Sequence, residues 1–218
     1  MKNKIKFINL DKYKAIEIIG DLHGNISELK SIIPTTQENV FYIFLGDYFD
    51  RGDEIIDTWW YLNSIKDKPN VILLKGNHDI YLKQYLYDKY NIENKSALRT
   101  IGILKNYDIS DRSISRFYAC LENYFAFTFK GQKYLTTHAG LPSFDESKIK
   151  YSKASVFTNG LLRYARKMDK IDKIYESNWK EGDPIQIHGH IKQKATKHSK
   201  NYVFDEKERI LDKCLIQK

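Results

Sequence analysis

The chain has 218 residues, of which 42% are hydrophobic and 14% aromatic, and it carries a formal net charge of +8. This length and composition suit a packed globule and exclude a disordered chain, and no apolar run is long enough to span a membrane. The lysine-rich first ten residues lack the apolar stretch of a signal peptide, and Cys120 and Cys214 fit reduced thiols, so we expect a cytoplasmic protein.

The positive charge does not by itself identify a partner. The lysines are spread along the chain, with modest clusters at 1–14, 192–200 and 207–218. A positive surface attracts any phosphorylated substrate by long-range steering, and no nucleic-acid-binding motif accompanies the clusters. We therefore expect no membrane partner and no requirement for nucleic acid.

The first half of the chain alternates predicted strands and helices. The strands are predicted at 13–19, 40–45 and 71–75, and the helices near 25–33, 54–65 and 79–90. Such alternation is typical of βαβ units and predicts a largely parallel sheet.

The second half is predicted to be richer in strands. Residues 91–122 are predicted to be mostly helical, with Asp111 as an N-cap, and residues 152–176 form a further helix capped by Ser152 or Ser155. The β-rich runs 124–129 and 133–137 predict a hairpin around residues 130–132, and short strands are expected at 185–188, 202–204 and 210–216. The pattern predicts an α/β fold with two stacked mixed β-sheets flanked by helices, in a single domain of residues 1–218.

Three short polar segments follow the first three predicted strands. They read Gly-Asp-Leu-His-Gly at 20–24, Gly-Asp-Tyr-Phe-Asp-Arg-Gly at 46–52 and Gly-Asn-His-Asp at 76–79. Two later segments, Thr-His-Ala-Gly at 137–140 and His-Gly-His at 188–190, also place histidine at a strand terminus. Because open α/β sheets bind ligands at the carboxyl ends of their strands, these side chains are expected to converge. Oxygen and imidazole ligands at one edge predict a two-metal phosphoester hydrolase.

Each candidate ligand also has an ordinary structural interpretation. Asp21 and His23, two residues apart, can bind one cation from the same side, and the two oxygens of Asp47 can bridge two cations. Taken singly, a Gly-Asp pair is usually a turn and a histidine is usually a surface or core residue. The whole set together is far harder to explain in that way. For His188 we favour a structural role.

These segments resemble the calcineurin-like metallophosphoesterase superfamily, and more narrowly its phosphoprotein phosphatase branch, in particular the compact phosphatases of the bacteriophage lambda type. The resemblance runs from Gly20 to His190. It implies a metallophosphoesterase sandwich with two divalent metal ions, manganese being favoured over iron or zinc. One metal would be held by Asp21, His23 and Asp47, and the other by Asp47, Asn77, His138 and His190. The wider superfamily carries a further histidine where this chain has Lys192, a departure that favours the phosphatase branch.

The ligand set suggests a chemistry that needs no protein nucleophile. Two divalent ions roughly 3.5–4 Å apart can convert a bridging water into a hydroxide that attacks phosphorus in line. Arg51 would bind the phosphate, since a guanidinium contacts two of its oxygens at once. The resemblance implies that His78 protonates the leaving group and that Asp50 orients it. It also implies a second phosphate-binding arginine, for which Arg166 and Arg163 are candidates, although either could lie on a solvated helix face.

The leading hypothesis is a phosphomonoesterase that acts on phosphorylated serine and threonine in proteins, with tyrosine included if its specificity is broad. The alternative is a hydrolase of diadenosine tetraphosphate or of another nucleotide or polynucleotide. Asp79 favours the alternative, because protein phosphatases usually carry glutamate there and the diadenosine tetraphosphate hydrolases of the same branch carry aspartate. A non-catalytic binding module is the third interpretation, and it predicts lost ligands or a lost acid, which this sequence does not show.

Overall fold

A computed structural model of the chain describes residues 5–88, 91–160, 178–191, 196–198, 201–205 and 214–217. Its strands are β1 (Ile8–Asn9), β2 (Ala15–Ile19), β3 (Val40–Phe44), β4 (Val71–Leu73), β5 (Tyr124–Phe129), β6 (Gln132–Thr137), β7 (Ile185–Ile191), β8 (Thr196–His198), β9 (Asn201–Asp205) and β10 (Cys214–Gln217). Its helices are α1 (Ile26–Ile32), α2 (Ile55–Ile65), α3 (Ile80–Tyr87), α4 (Lys95–Asn106), α5 (Asp111–Ala119), α6 (Glu146–Ile149) and α7 (Ala154–Asn159). None of the helices within these ranges is both long and apolar enough to cross a bilayer.

The strands form two mixed sheets. One has the order β10-β2-β3-β4, in which β2, β3 and β4 are parallel and β10 runs antiparallel to β2. The other has the order β1-β5-β6-β7-β9-β8 and combines the antiparallel β5–β6 and β8–β9 pairs with parallel pairing of β6, β7 and β9. The predicted α/β class with two mixed sheets and outer helices is confirmed.

A hydrophobic core fills the space between the two sheets. Ile16 of β2 and Ile43 of β3 belong to the same buried cluster as Phe127 of β5, Tyr134 of β6 and Ile187 of β7. The alternate residues of β2 and β3 pack on the other side, in a cluster shared with α1 and α2. Because both faces of this sheet are covered, all residues of β2 and β3 are buried, as is typical of parallel strands between two layers.

The predicted hairpin joins β5 and β6 through a two-residue turn. Phe129 pairs with Gln132, so Lys130 and Gly131 form the loop, with φ angles of 52° and 75°. Positive φ at both central residues is the feature of a type I′ turn, whose twist matches that of the flanking strands. Glycine at the second position makes this turn readable from sequence.

Two predicted helix starts are wrong. The region 91–122 contains α4 and α5, and α5 is capped by Ser110, whose hydroxyl accepts the backbone N–H of Ser113 at 3.1 Å. Asp111 is instead the first helical residue, where its negative charge is favourable at the helix N-terminus. For α7, Lys153 is the N-cap residue, so neither Ser152 nor Ser155 has the predicted role.

The structure describes only part of some later elements. Helix α7 is described as far as Asn159, and a Cβ on the next residue, Gly160, would lie 2.1 Å from the carbonyl oxygens of Ala139 and Gly140. Residues 161–177, with Arg163 and Arg166, lie outside the described ranges, as does Lys192. The strand expected at 210–216 is described as β10 from Cys214 onward. Strand β7 continues past the predicted residue 188 to Ile191, and β1, β8 and α6 were not expected.

Candidate metal centre

The three N-terminal polar segments leave the sheet at the carboxyl ends of β2, β3 and β4 and are hydrogen-bonded to one another. The backbone N–H of His23 donates to the carbonyl of Asp47 at 2.9 Å, and Gly24 donates to Tyr48 at 2.9 Å. In return, the N–H of Gly52 donates to the carbonyl of His23 at 2.8 Å. These backbone hydrogen bonds hold the first two segments side by side.

Asp79 connects the second segment to the third. Its buried carboxylate accepts the backbone N–H groups of Asp47 at 2.8 Å, Tyr48 at 3.1 Å and Gly76 at 2.8 Å. Burial and the neighbouring charge of Asp47 raise the pKa of Asp79 to about 7. This structural role of Asp79 was not predicted from the sequence, which indicated only that aspartate stands where protein phosphatases usually carry glutamate.

The same two segments approach each other too closely for side chains at their glycines. A Cβ at Gly46 would lie 2.4 Å from the backbone nitrogen of Gly76, and a Cβ at Gly76 would lie 2.0 Å from Oδ1 of Asp47. Such distances are far below van der Waals contact, so both positions require glycine for a steric reason. The close approach lets Oδ1 of Asp47 accept the N–H of His78 at 2.8 Å.

Asp21, His23 and Asp47 form the first group of candidate ligands, with one donor atom from each lying within 4.8 Å of the others. The Nδ1 of His23 lies 3.2 Å from the carbonyl oxygen of Phe49, which can only accept, so the ring proton belongs on Nδ1. Burial lowers the pKa of His23 to about 4. Its Nε2 is therefore left with a lone pair, and within the described residues this buried atom has no hydrogen-bond partner.

Asp47, His138 and His190 form the second group, again within 4.8 Å. Nδ1 of His138 donates to the carbonyl of Leu45 at 2.9 Å, which leaves Nε2 facing Nδ1 of His190 at 3.0 Å and Oδ1 of Asn77 at 3.1 Å. Oδ2 of Asp47 lies 3.5 Å from the same nitrogen. The amide oxygen of Asn77 thus joins this group as a fourth donor.

The electrostatics of the second group favour positive charge. Burial lowers the pKa of His138, but the charges of Asp47 and Asp21 outweigh burial and raise it to about 10. By contrast, burial and the neighbouring His138 lower the pKa of His190 to about 3. Oδ2 of Asp47 is buried without a hydrogen-bond partner in the described part of the chain. A pocket of carboxylate, imidazole and amide donors that attracts a proton this strongly fits divalent cations.

Five residues of the candidate site have left-handed backbone conformations. The φ angles are 46° at His23, 54° at Asp47, 71° at Asp50, 61° at Arg51 and 65° at His190. In the described residues, only two other non-glycine residues have positive φ, and both lie in turns. Such conformations cost about 1–3 kcal/mol each and concentrate at functional sites. At His190 the strained residue coincides with a register irregularity of β7 between residues 188 and 191, which redirects the side chain.

A hydrogen-bonded row of Asp50, His78 and Arg51 lies beside the ligand groups. Nδ1 of His78 lies 2.7 Å from Oδ2 of the buried Asp50, and Nη2 of the exposed Arg51 lies 3.1 Å from Nε2 of His78. Burial alone lowers the pKa of His78, but its hydrogen bond to Asp50 and the charges of Asp47 and Asp50 outweigh burial and raise the pKa. Two residues beyond Arg51, Asp53 accepts a hydrogen bond from Arg99 at 2.8 Å.

The structure therefore brings together nine of the residues selected from sequence. They are Asp21, His23, Asp47, Asp50, Arg51, Asn77, His78, His138 and His190. His188 belongs to neither ligand group; it is buried, and its Nδ1 lies 3.1 Å from the carbonyl of Gly189.

Comparison with known proteins places this arrangement in a family. The family model for calcineurin-like phosphoesterases matches residues 16–213. Serine/threonine-protein phosphatase 7 of Arabidopsis thaliana is 32% identical over 106 residues, which cover 46% of this chain and 25% of that protein. The chain thus aligns with about a quarter of the length of this relative.

Solved structures share the fold at low sequence identity. A mutant of a cold-active protein tyrosine phosphatase superposes with a TM-score of 0.61 at 14% identity, over 99% of this chain and 78% of that chain. A candidate diadenosine tetraphosphatase gives 0.59 at 13% identity, over 92% and 87%. A Saccharomyces cerevisiae protein serine/threonine phosphatase with similarity to human phosphatase PP5 gives 0.53 at 16% identity, over 91% and 70%.

The structural similarities concern the fold, whereas the family model rests on the sequence. Its match extends over most of the chain and includes all the polar segments described above. The alignment with the Arabidopsis phosphatase supports the phosphoprotein phosphatase branch. This chain belongs to the calcineurin-like phosphoesterase family.

Proposed function

We propose that this chain is a metal-dependent phosphomonoesterase that acts on phosphorylated serine and threonine, and also tyrosine, in proteins. The observation that carries the proposal is the pair of ligand groups sharing Asp47, with the Asp50–His78 pair beside them. Every residue type that the chemistry requires is present, which argues against a non-catalytic binding module. We further propose that the protein acts in the cytoplasm.

The candidate ligands divide between two cations. Asp21, His23 and Asp47 would hold one, and Asp47, Asn77, His138 and His190 would hold the other. When bound, two divalent cations lower the pKa of a coordinated water and polarise the phosphoryl oxygens. Mixed carboxylate, amide and imidazole donors suit manganese, iron and zinc, and we propose manganese.

Arg51 is proposed to bind the phosphoryl group. Arg51 is exposed. A guanidinium nitrogen can donate a hydrogen bond but cannot accept one, so in the contact between Nη2 of Arg51 and Nε2 of His78 the histidine nitrogen is the acceptor. In this arrangement His78 is neutral and carries its proton on Nδ1. A phosphate that draws the guanidinium away would leave Nε2 free to take up a proton. Arg163 and Arg166 remain the predicted second phosphate ligand.

His78 is proposed as the general acid, which gives the Nε2 proton to the leaving alkoxide. Asp50 holds the opposite ring nitrogen at 2.7 Å, so it fixes the ring orientation and favours the charged imidazolium. Proton donation of this kind contributes about 10²- to 10⁴-fold to a rate. The benefit is greatest for an alkyl phosphate, whose alkoxide is a poor leaving group.

The second candidate function is hydrolysis of diadenosine tetraphosphate or a related nucleotide. The observation that favours it is aspartate at residue 79, in the place where protein phosphatases usually carry glutamate. A third substrate class, the polynucleotides, is supported by the positive charge of the chain alone.

A substrate panel tests these assignments. The purified full chain, supplied with manganese, would be assayed on a phosphoserine peptide, a phosphotyrosine peptide, diadenosine tetraphosphate and 5′-phosphorylated RNA. We expect the phosphoserine peptide to give the highest kcat/KM, and chelation to abolish turnover. Asp47→Asn, prepared identically, controls for contaminating phosphatases. Higher kcat/KM on diadenosine tetraphosphate would favour the second candidate, and turnover that survives chelation would contradict both.

A further inference from the structure

The first turns of helix α4 lie against the loop that carries Asp50 and Arg51. The helix is capped by Asn94, whose side-chain oxygen accepts the N–H groups of Ser96 and Ala97, each at 3.0 Å. The amide nitrogen of Asn94 also donates to the hydroxyl of Tyr81 at 3.1 Å, which ties the cap to α3. The start of α4 is therefore fixed in position.

Three side chains of α4 each make a hydrogen bond to a different residue of this loop. Ser96 accepts the backbone N–H of Arg51 at 3.1 Å, and Thr100 donates its hydroxyl to Oδ1 of Asp50. Between them, Arg99 donates to the carbonyl of Gly52 at 2.6 Å. Residues 96, 99 and 100 share one helix face, because side chains three and four positions apart are neighbours.

The loop needs such support because its backbone is strained. Asp50 and Arg51 are consecutive left-handed residues, with φ angles of 71° and 61°. The next residue, Gly52, packs so closely that a Cβ would lie 2.2 Å from the carbonyl oxygen of His23. A loop in this conformation persists only where its surroundings hold it.

Thr100 contacts Asp50, the residue of this loop that lies against Nδ1 of His78. Asp50 is only 2% exposed, and its two oxygens have different partners: Oδ1 accepts from Thr100, and Oδ2 lies 2.7 Å from Nδ1 of His78. Thr100 is also 2% exposed, so water does not compete for this hydrogen bond. Loss of the hydroxyl would leave Oδ1 buried without that donor and would free the carboxylate to rotate away from His78.

We propose that Thr100 is a positioning residue for proton donation: it fixes the carboxylate of Asp50, which in turn fixes the imidazole of His78. Ser96 and Arg99 hold the loop backbone for the same purpose. The inference rests on the proposed function only where turnover is measured. The arrangement Thr100–Asp50–His78 can be tested without it.

The test compares Thr100→Val, which removes the hydroxyl at nearly constant shape, with Thr100→Ser, which keeps it. For Thr100→Val we expect kcat on a phosphoserine peptide to fall about tenfold, a part of the acid's full contribution. KM and metal content should change little, and turnover of p-nitrophenyl phosphate should be nearly unaffected, since nitrophenolate leaves without a proton. Thr100→Ser should retain most of the activity. Thr58→Val is the matched control, because Thr58 is a buried helical threonine whose hydroxyl donates to the backbone carbonyl of Glu54.

A proton NMR measurement separates the two possible failures. We expect a low-field resonance from the Nδ1 proton of His78, assigned by its loss in His78→Asn, that is shifted or broadened in Thr100→Val and restored in Thr100→Ser. An unchanged resonance in Thr100→Val, or equal losses on both substrates, would overturn the inference. If the wild-type chain hydrolysed no phosphoester while the resonance responded as expected, the proposed function would fail and the positioning of His78 by Thr100 would stand.

Discussion

Asp47 uses its backbone N–H and both oxygens of its carboxylate for contacts within the candidate site. Its backbone N–H donates to Asp79, its Oδ1 accepts the N–H of His78 at 2.8 Å, and its Oδ2 is buried 3.5 Å from Nε2 of His138. The charge of His138 contributes to a pKa of Asp47 that lies far below the usual range, even though burial acts in the opposite direction. One carboxylate thus contributes to both ligand groups and orders the loop that carries the candidate acid.

At the residue scale, replacement of the acid should separate turnover from metal binding. His78→Asn removes the group that would protonate the leaving oxygen, but it removes none of the candidate ligands. We expect kcat on an alkyl phosphate to fall by about 10²-fold or more, with bound manganese nearly unchanged in elemental analysis. Wild-type turnover of the alkyl phosphate by this variant would show that the acid assignment is wrong.

The sequence was informative about which residues meet and uninformative about how they are held. Asp21, Asp47 and Asn77 could be selected because each follows an apolar run, and parallel strands end at one edge. The bracing by Asp79 and Thr100 could not be predicted in this way. Their contacts depend on which atoms meet across loops and helices, and no periodicity or spacing reports that.

At the element scale, the glycines of the chain differ in how much room they leave for a side chain. Gly76 leaves no room for a Cβ, which would lie 2.0 Å from Oδ1 of Asp47, whereas a Cβ at Gly102 in α4 would meet no atom within 4 Å. We therefore expect Gly76→Ala to lower the free energy of unfolding by about 3 kcal/mol or more and to abolish metal binding, since the third segment must move away from the second.

The matched control, Gly102→Ala, should raise the free energy of unfolding by about 0.5–1 kcal/mol, because alanine is the better helix former. Urea denaturation of both variants against wild type gives the comparison. Equal effects at the two positions would contradict the packing that we describe for the segments.

Helix boundaries illustrate a different limit of prediction. Ser110 and Asp111 are both good N-cap residues by type, and the sequence does not say which of them leaves the helical conformation first. The turn at Lys130 and Gly131 was easier to predict, because a glycine between two β-rich runs commonly marks the tight turn of a β-hairpin. Elements with one low-energy solution are predictable, and elements with two nearly equal solutions are decided by packing.

At the scale of the whole molecule, the candidate centre joins the two sheets. Asp21 and Asp47 follow strands of the first sheet, whereas His138 follows β6 and His190 lies in β7 of the second. The carbonyl of Leu45, just after β3, accepts from His138 at 2.9 Å, so the sheets are already in contact at this edge. A cation bound here would hold one sheet to the other.

Cation binding should therefore stabilise the folded chain as a unit. At a manganese concentration 100 times Kd, we expect the free energy of unfolding to rise by about 2.7 kcal/mol, and a chelator should reverse the gain. Because we propose a single domain over residues 1–218, thermal unfolding followed by circular dichroism and by tryptophan fluorescence should give coincident transitions. Asp47→Asn should show no response to manganese, and a shift of equal size in that variant would argue for binding elsewhere.

Arg51 has a left-handed backbone conformation. The energetic cost of this conformation can therefore be measured separately from the contribution of the guanidinium. Alanine and glycine at this position would both remove the guanidinium, and phosphate affinity should weaken to the same degree in each. The two variants would differ in their free energy of unfolding. We expect the glycine variant to be more stable by about 1 kcal/mol, because glycine adopts φ near 60° without the steric cost that alanine has. In thermal unfolding, Arg51→Gly should therefore have a higher midpoint than Arg51→Ala, although both variants lack the guanidinium.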